Sequence, residues 1–301
     1  MTTGDYGRDV AFGLFPSPEA DPRSLETLWA QVAAADRGGL DLVGIQDHPY
    51  QRRHLDTWML MATVLAHTER VRVFPDVANL PLRPPAVMAT SAASLDVLSG
   101  GRFELGLGAG GFWEAIGAMG GPRRTPREAA GALVEAVEII RLMWSGERSV
   151  RFSGEHYTLS GVKPGPLPVH DMGIWLGVAG PRLLRALGRA ADGWVPSTGF
   201  IGPDELAGKH ALIDEGAAEA GRDPASIRRV YNVWGTITGG ASSGFLDGPA
   251  DQWVDQLTEL VLEYGMDTFV FGPSDGSVEQ VERFAAEVAP AVRSMVADER
   301  A

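Results

Sequence analysis

The sequence predicts an α/β fold, a (β/α)8 TIM barrel with an insertion after the fourth βα unit. Three observations carry that expectation. About eight short apolar strand segments alternate with helical segments, with no break in composition along the chain. At 301 residues and 45% apolar content, the chain is long for a doubly wound sheet and near the usual length of one barrel domain, read here as 1–301. Small-residue loops also collect at several strand ends, the face on which such barrels place their chemistry.

The elements follow in order. Residues 10–15 (VAFGLF) read as a buried strand, followed by a Pro-rich loop over 16–22. Ser24 is placed as the cap of a helix through 38, with Leu25, Leu28, Trp29, Val32 and Ala35 on its apolar face. Strand two covers 40–46 (LDLVGIQ) and ends in Asp47-His48-Pro49-Tyr50. A helix over 57–68 (TWMLMATVLAHT) leads to strand three at 71–77, and its apolar surface reads either as a dimer face or as core. The loop 79–85 carries three prolines, and a helix runs from 86 to about 98. Strand four covers 101–108 and runs into a glycine-rich loop; Thr125-Pro126 opens a long helix over 127–144. Residues 145–173 break the rhythm with a hairpin and an irregular stretch, taken as the insertion. Strand five at 174–178 feeds a helix beginning at Arg182, strand six follows Asp192-Gly193, and a helix covers 203–220. Strand seven at 230–238, a helix over 248–264, strand eight at 268–271 and a helix over 277–296 close the pattern.

Composition narrows the function. A net charge of −13 argues against nucleic acid and acidic membrane surfaces as partners, and leaves a small molecule. Lys163 and Lys209 are the only lysines, so an anionic ligand would be met chiefly by arginine. Cysteine is absent, which excludes disulfides and thiolate metal sites. The first ten residues, MTTGDYGRDV, lack an apolar signal region, and no run is long enough to span a bilayer; a cytoplasmic protein is expected. The six histidines show no paired metal-ligand spacing, and neither a GxSxG elbow nor a P-loop is present.

Three strand-end stretches hold candidate chemistry. Asp47-His48 places a carboxylate and an imidazole side by side, suited to proton exchange near neutral pH; the plainer reading is a capping Asp beside a polar His. GLGAGG over 106–111 matches GxGxxG, but it runs into Phe112-Trp113 rather than a helix followed by a strand-end acid, which disfavours a dinucleotide fold. Close backbone approach to a flat ligand, with Trp113 stacking, competes there with simple packing. The third stretch, IWLGVAGPRLLRALGRAADGWVPS over 174–197, reads either as a phosphate grip at a helix N-terminus, aided by Arg182 and Arg185, or as an ordinary βα turn. A stiff loop, FPDVANLPLRPP over 74–85, also sits at a strand end, and Arg52-Arg53 and Arg123-Arg124 read as solvated loops or as a receptor for an anionic tail.

Four stretches, QDHP (46–49), NLPLRPPAVMA (79–89), LDVLSGGRFELGLGAG (95–110) and GVAGPRLLRALGRAADGW (177–194), mark a resemblance. The chain resembles the bacterial luciferase-like flavin-dependent oxidoreductases, which include enzymes using the deazaflavin coenzyme F420. The resemblance implies a barrel, often dimeric, with the cofactor ring over the strand C-termini. It implies that Gly177, Val178, Ala179, Gly180, Pro181 and Arg182 hold the cofactor phosphate, and that Phe15, Asn79, Gly108, Ala109 and Gly110 line the cofactor site. It puts Asp76-Val77 where relatives often carry a non-prolyl cis peptide, with Val77 supporting the ring and Trp113 on the substrate side. His48, oriented by Asp47, becomes the proton partner. The Asp-His pair favours F420 in hydride transfer with a small organic substrate. FMN is the alternative, as reduced FMN from a separate flavin reductase in a monooxygenase, and a non-catalytic flavin-binding protein is a third reading.

Overall fold

The computed structural model describes residues 4–301. The first half contains β1 (Ala11–Leu14), α1 (Pro22–Gly38), β2 (Leu42–Ile45), α2 (Thr57–His67), β3 (Arg72–Pro75), β4 (Ala78–Asn79), α3 (Pro85–Ser99) and β5 (Leu105–Gly108). A short α4 (Trp113–Ala118) and the long α5 (Pro126–Met143) follow, then the hairpin β6 (Val150–Ser153) and β7 (Thr158–Val162). The second half holds β8 (Ile174–Gly177), α6 (Pro181–Ala190), β9 (Gly193–Trp194), α7 (Pro203–Glu219), β10 (Arg228–Ile237) and β11 (Asp247–Gly248). It ends with α8 (Ala250–Leu262), β12 (Thr268–Pro273), α9 (Val278–Arg283) and α10 (Ala289–Glu299).

These elements form the expected barrel. The parallel strands run in the order β3-β2-β1-β12-β10-β9-β8-β5-β4, and a parallel bridge from Val73 on β3 to Phe103, just ahead of β5, closes the ring. Parallel strands need crossover helices, and these cover the outside. Inside, Leu42, Phe74, Trp175, Val195, Val230 and Val270 pack into a separate plug, with Phe74 edge-on to Trp175 at 5.0 Å. That plug fills the barrel interior beneath the strand C-terminal ends that carry the candidate residues. The hairpin β6–β7 lies between α5 and β8, where the insertion was expected.

Several boundaries differ for physical reasons. Asp21, not Ser24, caps α1: its carboxylate accepts from the Ser24 N–H, while Pro22 fills the first helical position. The third strand does not run unbroken over 71–77. It stops at Pro75, passes through the cis peptide Asp76-Val77, and resumes as β4 beside β5. The closing helix is continuous in direction but not in hydrogen bonding. A π turn at Phe284–Val288 lets the Ala289 N–H reach the Phe284 carbonyl, just before Pro290, which has no N–H to give. No helix among the described residues is long and apolar enough to cross a membrane.

Candidate active site

At the end of β2 the chain is pinned to α2, because the Thr57 hydroxyl donates to the Gln46 carbonyl at 2.7 Å. This turns Asp47 inward, where it is 2% exposed. Its Oδ2 accepts the Asn79 N–H at 2.9 Å and lies 3.7 Å from Arg83 Nε. Burial pushes the Asp47 carboxyl up, against the opposing pull of the Asn79 N–H and the Arg83 charge. Asp47 therefore ties the β2 end to the β4 end and does not orient its neighbour.

The His48 ring is fixed by a different partner. Its Nδ1 lies 2.6 Å from the Tyr50 hydroxyl, two residues on. Burial lowers the His48 pKa, with a further push from His54, and burial together with Asp47 raises Tyr50 to about 12. At neutral pH the imidazole is uncharged and the phenol keeps its proton. With that proton donated to Nδ1, Nε2 carries the imidazole N–H. Phe112 covers the pair, edge-on to His48 at 5.5 Å and tilted to Tyr50 at 5.8 Å.

The end of β3 supplies the middle of the mouth. Asp76 is 9% exposed, and its Oδ1 accepts from Asn232 Nδ2 at 3.0 Å; the same amide nitrogen lies 3.2 Å from Ser197 Oγ. Burial pushes the Asp76 carboxyl up to about 7. Val77 projects between β5 and β8 because those strands carry glycine at the contact. A Cβ on Gly108 would lie 2.9 Å from Val77 Cγ2, and one on Gly177 would lie 2.8 Å from it. The two glycines thus form a cradle for a β-branched side chain.

Beyond the cradle, Gly180 caps α6 in an extended conformation with no side-chain hydrogen bond, and Pro181 opens the helix. Ala179, Gly180, Pro181 and Arg182 are exposed, so the first-turn N–H groups face outward unpaired by side chains. Val178 turns inward, and its carbonyl accepts the Trp194 indole N–H at 2.8 Å. Arg185 is engaged by Glu215 at 2.8 Å; Lys209, on α7, lies 3.7 Å from Glu205 and reaches to within 3.4 Å of the Ala179 carbonyl. On the opposite side Phe15 meets Trp234 edge-on at 5.2 Å, in a cleft of about 420 Å3 that also takes in Gln46, Thr27, Arg23 and Gly276.

The expected residues thus converge on one mouth, with exceptions. Trp113 opens α4 and folds against Gly110, whose added Cβ would lie 3.0 Å from the indole, so Phe112 is the aromatic that meets His48. Ala109 and Gly110 are half-buried beside it. Of the paired arginines, Arg53 binds Glu19 and Arg124 stacks over Tyr157, which leaves both with structural partners. Sequence reasoning missed Tyr50, Phe112, Asn232 and Lys209. Asn232 carried a faint signal as the one amide in the apolar run VYNVW, and Lys209 as one of two lysines.

An anionic cofactor with a flat, polar ring fits these residues. The uncapped α6 terminus and Lys209 suit a phosphate, and the Val77 cradle offers an apolar support. Buried acceptors at the mouth, Asp47 Oδ1, Asn79 Oδ1 and Asn232 Oδ1, have no hydrogen-bond donor of their own.

Comparison with known proteins agrees. A model of the luciferase-like monooxygenase family matches residues 10–237. The chain is 33% identical over 239 residues to an F420-dependent glucose-6-phosphate dehydrogenase of Nocardia farcinica, covering 75% of this chain and 68% of that one. It is 30% identical over 251 residues to an F420-dependent hydroxymycolic acid dehydrogenase of Mycobacterium tuberculosis, covering 77% and 68%. Among solved structures, an F420-dependent secondary alcohol dehydrogenase in complex with an F420-acetone adduct superposes with a TM-score of 0.82 at 21% identity, over 95% of this chain and 99% of that one. That likeness is one of fold.

Proposed function

The chain belongs to the luciferase-like monooxygenase family, and from that premise we propose that it is an oxidoreductase in which coenzyme F420 exchanges hydride with a small organic substrate. The relatives of similar sequence that are F420-dependent dehydrogenases support the choice of cofactor. The observation that carries the reading is the meeting, at one barrel mouth, of a neutral His48–Tyr50 pair, a Val77 cradle and the uncapped α6 terminus.

The cofactor, when bound, supplies the hydride acceptor or donor. The protein positions and manages protons. The backbone N–H groups of Gly180, Arg182 and Leu183, with the Arg182 and Lys209 side chains, would hold the phosphate. Val77, backed by Gly108 and Gly177, would support one face of the ring, and Asn79 and Asp47 would offer acceptors at its edge. His48 would hold or release a proton at Nε2 while Tyr50 fixes Nδ1. Phe112 and the Phe15–Trp234 wall would keep water from that proton and line the substrate space. We place this activity in the cytoplasm and in a homodimer. Exposed Met59 on α2 and Val87, Val97 and Leu98 on α3 support the dimer.

Parallel titrations with coenzyme F420 and FMN, oxidised and reduced, followed by absorbance and fluorescence, test the reading. Micromolar or tighter binding of F420 in preference to FMN is expected. Preference for reduced FMN would overturn it in favour of a monooxygenase fed by a flavin reductase. Binding of neither would remove the phosphate grip as well.

A further inference from the structure

We propose that Asp76 is a specificity-determining residue of the mouth: protonated, it admits an anionic cofactor ring above Val77, and ionised, it opposes one. The inference rests on the deazaflavin reading and adds to it a coupling between cofactor binding and a proton on the protein.

The argument begins with position. Asp76 is one half of the peptide whose other half is Val77, the side chain cradled by Gly108 and Gly177 at the centre of the mouth. Its carboxyl turns into the barrel above Phe74. There Gly44 on β2 leaves it room, since a Cβ at Gly44 would lie 2.8 Å from Asp76 Oδ2. The carboxyl therefore occupies a built space beneath the mouth and is not solvated at a rim.

Among the described residues no cation balances it. Its one hydrogen bond is the 3.0 Å contact from Asn232 Nδ2, and Oδ2 is buried without a partner. The other titratable groups of the mouth are engaged elsewhere. From the β2 end, Asp47 is held by Asn79 and Arg83, and His48 by Tyr50; Arg83 pairs with Asp56. From β10 and the end of β9 come only Asn232 and Ser197. No Arg, Lys or His among the described residues forms an ion pair with Asp76. Burial alone dominates its ionisation and holds it near neutrality, at about 7, with Asn232 pulling the other way.

A buried carboxylate at this depth is poorly screened. A second negative charge brought in on the ring would repel it, and the cheapest relief is a proton on Asp76. Above pH 7, binding of the ring in an anionic form should then take up a proton from solvent, and affinity should fall by up to tenfold per pH unit. Because Oδ2 has no donor, a proton there leaves no existing hydrogen bond broken.

Titration calorimetry of the full chain with coenzyme F420 at pH 8, in two buffers of different ionisation heat, reads the uptake directly. Infrared titration of the ligand-free protein reads the carboxyl itself. Expected are an uptake approaching one proton per site, and a protonated-carboxyl band lost as pH rises through about 7. Asp76→Asn should lose both and bind with an affinity that no longer falls above pH 7 beyond the cofactor's own ionisation. Asn232→Ala, which removes the one donor to Oδ1, should move the fall in affinity to higher pH. Binding with no uptake, or with the same uptake in Asp76→Asn, overturns the proposal and leaves the F420 reading standing. A wild-type protein that does not bind F420 overturns both.

Discussion

His48 is the residue we propose as the proton carrier, and its neutrality follows from burial beside a phenol that keeps its own proton. General acid–base groups contribute about 10²–10⁴ in rate. His48→Ala is accordingly expected to lower kcat/KM by at least about 10²-fold while leaving the F420 dissociation constant within a few-fold, as steady-state kinetics and fluorescence titration would show. Tyr50→Phe removes one neutral hydrogen bond of about 1 kcal/mol, so a drop of about five-fold is expected. A loss as large as that of His48→Ala would mean that the phenol itself carries the proton. A second histidine makes a stability prediction of definite sign. His210 is buried, edge-on to Trp194 at 5.3 Å, and its Nδ1 accepts from Arg229 Nε at 2.9 Å. Burial, then the Arg229 charge, lowers its pKa to about 3. The unfolded chain takes up that proton near 6.5, so this contribution is complete above about 6.5 and is lost as pH falls toward 3. Thermal melts of the wild type should fall steadily from pH 7 to pH 4, and His210→Gln should flatten that slope even if it lowers the melting temperature at pH 7.

At the scale of elements, the cradle is a packing device shared by three strand ends. Val77 fits because β5 and β8 present glycine where any other residue would place a Cβ within 3 Å of it. A stiff β-branched neighbour cannot turn away, so Gly177→Ala should cost about 1–3 kcal/mol, as overpacking does. Val77→Ala in the same chain should recover most of that loss, because it removes the methyl group that clashes. A denaturant-melt double-mutant cycle measures the coupling, and additive effects would show that the glycine serves the backbone instead. The α6 terminus was legible as a small-residue loop feeding an amphipathic helix, since both signals are local. Its full set of nearby cations was not. Arg182 and Arg185 were the visible candidates; Arg182 stays exposed at the terminus, Arg185 is held by Glu215 on α7, and Lys209 of that same helix also reaches the loop.

For the whole molecule, a ligand held only by the native barrel stabilises it by mass action. At a free F420 concentration one hundred times its dissociation constant, unfolding should become about 2.7 kcal/mol less favourable. Calorimetric melting in the presence and absence of F420 reads this as an upward shift in Tm, and the shift should shrink at high salt, because a chain of net charge −13 holds an anion through a few local donors. The barrel itself, its insertion and the strand ends proposed to bear the site were determined by the sequence alone. They follow from apolar periodicity, Gly and Pro punctuation and alternation of elements, which are properties of neighbouring residues. Which side chains meet at the mouth was decided only by closure of the sheet. Asp76 and Asn232 are 156 residues apart in the chain and share a hydrogen bond because β3 and β10 point into the same interior layer. Phe112 faces His48, and Trp113 does not, because α4 begins one residue later and turns the indole onto Gly110. Residue type and spacing specify the strands and the ends where chemistry can sit; the barrel's curvature, which no local pattern encodes, selects the partners.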